Sequence, residues 1–92
     1  MQSKTETVIR SEKVLDSGNL YCYTLTESDG ANGTMLYSLR ISLRMKNGEF
    51  SENTARDIFT EKSAAMHFFD KMLKNLATPL NLPYVIEDEL LD

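Results

Sequence analysis

Histidine, the side chain that most often performs general acid–base catalysis, occurs once in this chain of 92 residues. His67 is the single histidine, and Asp70 follows it by three residues. On a helix this spacing brings two side chains together, so Asp70 could orient His67 as a general base. The sequence places no serine or cysteine nucleophile beside the pair. We therefore interpret His67 as an ordinary surface residue. A small enzyme or ligand-binding protein that uses His67 is the alternative.

Cys22 is the single cysteine, so an internal disulfide cannot form. It alternates with Leu20 and Thr24 in a strand-like stretch, which predicts a small buried hydrophobic residue rather than a reactive thiol. The first residues do not resemble a signal peptide, and no apolar run approaches the roughly 18 residues that span a bilayer. We expect a cytoplasmic protein without membrane contact.

Carboxylates gather at the C-terminal end, at Glu87, Asp88, Glu89 and Asp92. Carboxylate oxygens suit calcium and magnesium, but this spacing does not match a metal-binding loop. Consecutive acids on a helix point in different directions, which predicts a solvated acidic rim. We expect no metal, no cofactor and no catalytic residue, and the rim becomes the first candidate partner-binding surface.

A short basic ladder provides the second candidate surface. Arg40 and Arg44, with Lys46, share one face of a predicted strand, where they either pair with acids of neighbouring strands or contact a partner. The net charge of the chain is −4, and the acidic excess lies entirely in residues 51–92. A continuous basic stripe is missing, so we expect no direct binding to nucleic acid.

Turn signals divide the first sixty residues at short, regular intervals. Ser17-Gly18-Asn19, residues 29–33 and Asn47-Gly48 read as hairpin connections. The segments between them predict antiparallel strands at 5–15, 20–27 and 34–46, with a more polar fourth strand at an edge from 49 to about 58. The third strand alternates most clearly and predicts one buried face, with Met35, Tyr37, Leu39, Ile41, Leu43 and Met45.

The hydrophobic period becomes helical after Thr60. An apolar stripe predicts an amphipathic helix over 60–76 that is capped by Thr60 and followed by Pro79; the stripe consists of Ala65, Phe68, Phe69, Met72, Leu73 and Leu76. Pro83 suits a first helical position, and Val85, Ile86 and Leu90 then share one face, which predicts a short docked helix over 83–91.

Together these elements predict a single α+β domain over residues 1–92. A three- to four-stranded antiparallel meander, about residues 5–58, is covered on its apolar face by the main helix, and the short C-terminal helix closes one end.

The C-terminal pattern Pro79-Leu80-Asn81-Leu82, followed by Val85-Ile86-Glu87-Asp88 and Leu90, resembles a family of short uncharacterised proteins of Clostridia and related Firmicutes. That family is a domain of unknown function, so no activity transfers with the resemblance. It implies a compact cytoplasmic protein of bacteria or their phages.

The function that we expect is that of a small, acidic, non-enzymatic protein-interaction module, as a monomer or a homodimer. One alternative is a phage or mobile-element inhibitor of a nucleic-acid-processing enzyme, similar to an anti-CRISPR protein. Its clustered carboxylates would stand in for phosphates against a basic channel. The partner would then be a nucleic-acid-binding enzyme.

Overall fold

A computed structural model describes the chain from residue 6 to residue 91, and its side chains as far as residue 89. Four strands form one antiparallel sheet in the order β1-β2-β3-β4, and two helices follow. The elements are β1 (Glu6–Asp16), β2 (Asn19–Asp29), β3 (Met35–Arg44), β4 (Phe50–Phe59), α1 (Lys62–Lys74) and α2 (Leu82–Leu91). The α+β meander predicted from the sequence is confirmed, with four strands.

The hairpin turns fall where the glycine signals predict them. Ser17 and Gly18 both have positive φ, 53° and 83°, as a two-residue turn between twisted antiparallel strands requires. In the third turn Gly48 has φ 95°, and its N–H donates to the carbonyl of Met45 at 2.9 Å. The Met45 N–H in turn donates to the carbonyl of Glu49 at 2.7 Å. This bond determines which residue pairs of β3 and β4 are hydrogen-bonded to each other.

One face of the sheet forms the core. Successive side chains of a strand point to opposite faces, and the odd-numbered side chains of β2 and β3 face the helices. Tyr23, Leu25, Leu39 and Ile41 are fully buried there together with the apolar stripe of α1. Tyr21 is also buried, whereas Met45 lies just after β3 and is 40% exposed. The prediction that Cys22 is buried is wrong. Its side chain is half-buried on the opposite face of the sheet, which the helices leave open.

The main helix is shorter than predicted at both ends. It begins at Lys62 with Glu61 as N-cap, and no side chain caps it, so the predicted role of Thr60 is wrong. Its end is a left-handed turn at Leu76, φ 52°, in which the Ala77 N–H donates to the Met72 carbonyl at 3.0 Å. This Schellman-type closure ends the helix before Pro79 is reached.

The C-terminal helix begins at Leu82, one residue earlier than predicted, and Pro83 is tolerated because N–H groups in the first turn have no helical acceptor. Leu82 is 1% exposed, and Val85 and Ile86 pack half-buried against the core. The docking face of the predicted helix is confirmed for these two residues. The side chain of Leu90 lies outside the described part of the chain.

Candidate protein-binding groove

A groove of about 540 Å³ lies between the free edge of β4 and the start of α2. We call it the β4–α2 groove. Its lining consists of Ser51, Glu52 and Asn53 from β4, Pro79 and Leu80 from the preceding turn, and Pro83, Tyr84 and Glu87 from α2. Two segments that are distant in sequence thus meet in one concave surface.

A small hydrogen-bonded turn holds Leu80 in this groove. The Thr78 N–H donates to the Oδ1 of Asn81 at 2.8 Å, and the Asn81 N–H donates to the Thr78 Oγ1 at 3.2 Å. These reciprocal bonds fix the two residues between them. Leu80 is consequently 85% exposed although Leu82, two residues later, is fully buried.

Asn53 connects the strand side of the groove to the turn. Its Nδ2 donates to the carbonyl of Pro79 at 3.1 Å, and its Oδ1 accepts the N–H of Thr54 at 2.9 Å. Tyr84, in the first turn of α2, is 69% exposed and lines the groove together with Leu80. The groove therefore presents two large apolar side chains on a backbone that hydrogen bonds hold in place.

The charged residues that line the groove, among those described, are both carboxylates. Glu52 pairs with Arg40 at 3.1 Å, whereas Glu87 is exposed. Exposed Asp88 follows on α2, and Glu89 pairs with Lys71 at 2.9 Å. A positively charged ligand is thus favoured over a negatively charged one at this surface.

The candidate partner-binding residues predicted from the sequence do not form one surface. Glu87 lies in the groove, whereas Arg40 and Arg44 lie on the open face of the sheet. Arg44 stacks over the ring of Phe50 at 5.2 Å from its centroid. Asp92 lies outside the described residues.

Sequence reasoning missed Leu80, Tyr84 and the strand residues Ser51 and Asn53. One signal was present: Leu80 and Leu82 are two residues apart next to a predicted helix, and that spacing on a helix places two side chains about 200° apart rather than on one face. No pattern in the sequence shows that β4 packs alongside this turn.

The open sheet face carries a smaller concavity of about 240 Å³, lined by threonines and by Arg40 and Arg56. Arg56, on edge strand β4, pairs with Glu6 on the other edge strand at 3.4 Å. Both arginines are therefore paired with carboxylates. The predicted pairing of the basic ladder with neighbouring acids is confirmed for Arg40.

His67 is exposed on α1, beside a shallow depression that it shares with Asp70, Lys71 and Lys74. Asp70 accepts a hydrogen bond from Arg10, which also lies over the ring of Phe69 at 4.6 Å from its centroid. Cys22 is on the opposite side of the sheet. The described residues contain no group of three or more potential metal ligands.

Two tyrosines with raised pKa values, Tyr23 and Tyr37, lie away from the groove. Burial, and secondarily the charge of Tyr21, raises the pKa of Tyr23 to about 12. The Tyr37 hydroxyl donates to Glu27 at 2.8 Å, and this bond, with burial and the negative charge, raises its pKa too. Both hold neutral hydroxyl groups on the core face of the sheet, so they contribute to stability rather than to the groove.

The architecture is that of a small α+β protein with a four-stranded meander, two helices and an exposed edge groove. Among the described residues, no helix combines the length and apolar character needed to cross a membrane. The chain belongs to the family of unknown function DUF6514, whose profile matches residues 5–92. The prediction that the chain belongs to a family of unknown function is thereby confirmed. No curated protein and no solved structure gives a significant match.

Proposed function

We propose that this protein is a non-enzymatic interaction module that binds a basic segment of another protein in the β4–α2 groove. The observation that supports it is the exposure of Leu80 and Tyr84, 85% and 69%, next to each other on a hydrogen-bonded turn and helix. Tyrosine is one of the residues enriched among the anchors of protein interfaces, and Leu80 adds apolar contact area to the same concave site.

Charge defines the partner. Glu87 is exposed in the groove and Asp88 lies next to it in the sequence of α2, so a lysine or arginine of the ligand gains attraction on approach. An acidic ligand would meet repulsion. The partner is thus a protein segment that combines an apolar anchor with at least one basic side chain.

A peptide selection tests the proposal. Short random peptides displayed on phage are selected against the immobilised full chain, and the enriched peptides are then synthesised and titrated. We expect enrichment of basic residues beside an apolar one, with binding that weakens as salt is added. Leu80→Ser should weaken binding about tenfold or more, because loss of an interface anchor costs more than about 1.4 kcal/mol.

Leu15→Ser is the matched control, since Leu15 is 73% exposed on β1, away from the groove. It should bind the peptides like the parent. Peptides that bind both variants equally well, or a selection that enriches nothing, would contradict the proposal.

A more specific form of this proposal is an inhibitor of a nucleic-acid-processing enzyme, carried by a phage or mobile element in a bacterial cytoplasm. The exposed carboxylates of Glu87 and Asp88 would then occupy a basic channel in place of phosphates. Neighbouring genes discriminate the two forms, because phage genes beside this one favour the inhibitor and a housekeeping operon favours a cellular partner.

A further inference from the structure

We infer that the bound segment is extended and adds to the sheet as a fifth strand along the free edge of β4. The inference rests on the proposed function and specifies how the partner is held. It follows from the direction of the backbone groups of β4.

The third hairpin determines that direction. Because the Met45 N–H donates to the Glu49 carbonyl, hydrogen-bonded pairs recur at every second position from there. They are the register pairs Leu43 with Ser51, Ile41 with Asn53, and Leu39 with Ala55. The N–H and carbonyl groups of the intervening residues Phe50, Glu52 and Thr54 therefore point away from β3, out of the sheet edge.

A side-chain hydrogen bond agrees with the outward direction of these backbone groups. The N–H of Thr54 donates to the Oδ1 of Asn53, which is possible only because that N–H does not face β3. Glu52 lies next to it and lines the groove. Its outward N–H and carbonyl offer a donor and an acceptor to an extended backbone, which is the basis of ligand binding by strand addition.

Successive side chains of the added ligand strand would point to opposite faces of the sheet, which predicts a pattern in the ligand sequence. Ser51 and Asn53 pair with residues of the core face, so that face of β4 looks towards Leu80 and Tyr84, whereas the Glu52 side chain faces the other way. Alternate ligand side chains would thus meet the apolar anchors and the Glu87 carboxylate, whereas those between them would project over the open face beside the Glu52–Arg40 pair. We expect apolar residues and a basic residue at every second position of the ligand.

The length of the ligand is limited by a bulge in β4. The register between β3 and β4 shifts beyond Leu39, and Asp57 there has φ 54°. Its N–H donates to the Ser38 Oγ at 2.8 Å instead of continuing the regular ladder. Strand addition is therefore confined to the regular part of β4, residues 50–55.

A pair of variants at one position tests strand addition, with the peptides from the groove selection as probes. Glu52→Pro removes the outward N–H and leaves the ladder to β3 intact, because edge strands tolerate proline at such positions. Glu52→Ala keeps the N–H and removes the carboxylate. We expect Glu52→Pro to weaken peptide binding about tenfold or more, and Glu52→Ala about twofold to threefold.

Peptide N-methylation provides a second measurement that does not depend on the folding of a variant. Methylation of single backbone nitrogens should weaken binding at every second peptide position and leave the intervening positions near the unmodified affinity. Equal binding to the two Glu52 variants when both fold, or insensitivity to methylation at all positions, would overturn strand addition.

The two proposals fail in different ways. Peptides that bind in a Leu80-dependent manner without dependence on the Glu52 N–H would leave the groove as the binding site and refute the added strand. Sedimentation that shows a peptide-free dimer paired through β4, with the Glu52 amide protected from hydrogen exchange, would also refute it, since the edge would then be occupied by a second copy.

Discussion

Tyr23 shows how one hydroxyl group links the two layers of the molecule. The side chain is completely buried, and its hydroxyl donates to the carbonyl of Ala77 at 2.8 Å, between the two helices. That carbonyl follows the left-handed turn at Leu76, where no helical partner is available to it. The bond therefore connects the central sheet to the segment that leads into the groove.

Tyr23→Phe should lower the free energy of unfolding by about 1–3 kcal/mol at neutral pH, because it leaves a buried acceptor without a donor. The pKa of Tyr23 is raised to about 12 from 10.0, so its stabilising contribution is complete below pH 10. It is lost as the pH rises towards 12, since the unfolded chain ionises first. Denaturant unfolding of both proteins should show a difference that narrows over this range.

Tyr21→Phe is the control, because Tyr21 stacks on Tyr23 with centroids 6.5 Å apart but its hydroxyl makes no described hydrogen bond. It should change stability less. A loss as large as that of Tyr23→Phe would show that the bond to Ala77 is not the cause.

Residue roles were predictable from the sequence where alternation alone decided them. The burial of Leu39 and Ile41 followed from the period of two in β3, and the exposure of His67 from its position outside the apolar stripe of α1. The burial of Tyr21 and Tyr23 and the half-burial of Cys22 depend on which face of β2 the helices cover. That choice is made by tertiary packing.

At the scale of elements, the C-terminal segment has two neighbouring leucines with opposite roles. Leu82 is 1% exposed in the core and Leu80 is 85% exposed in the groove. The hydrogen bonds between Thr78 and Asn81 produce this reversal within three residues. Packing of α2 and ligand binding can therefore be separated by mutation.

Leu82→Ala should lower the free energy of unfolding by about 2–5 kcal/mol, the usual range for a buried leucine, whereas Leu80→Ala should change it by less than about 0.5 kcal/mol. Thermal or denaturant unfolding of both variants measures the difference. Similar effects of the two substitutions would mean that Leu80 is not the exposed member of the pair.

Strands, both helices and their order were predictable because each has a clear hydrophobic period or glycine turn. The end of α1 was not, since a left-handed leucine replaces the glycine that usually signals such a turn. The groove was not predictable either, because Asn53 and Pro79 are 26 residues apart and only their hydrogen bond shows that the segments meet.

At the scale of the whole molecule, two arginines that line the open sheet face are paired with carboxylates. Arg40 pairs with Glu52, and Arg56 pairs with Glu6 across the open face. The chain has ten basic and fourteen acidic side chains, and the resulting net charge of −4 repels phosphates overall.

We therefore expect no mobility shift of a short DNA or RNA probe by micromolar protein at about 150 mM salt, because a few paired arginines cannot offset the overall repulsion. Arg40→Ala should give the same result. A clear shift that disappears in Arg40→Ala would instead make the open sheet face a nucleic-acid site.

Asn53 also limits how much of the β4 edge is open to copies of the molecule, because its side chain occupies the Thr54 N–H and leaves the Glu52 N–H pointing outwards. An unpaired strand edge can template the addition of further chains, and repeated addition leads to aggregates. The Asn53 Oδ1 accepts the Thr54 N–H, and the Asn53 Nδ2 donates to the Pro79 carbonyl. The bond to Pro79 positions the Asn53 side chain against the turn before α2. Loss of the chain from residue 79 onwards would remove the Pro79 acceptor and α2 together. We expect such a shortened chain to add copies of itself at the β4 edge more readily, which light scattering would detect as aggregation.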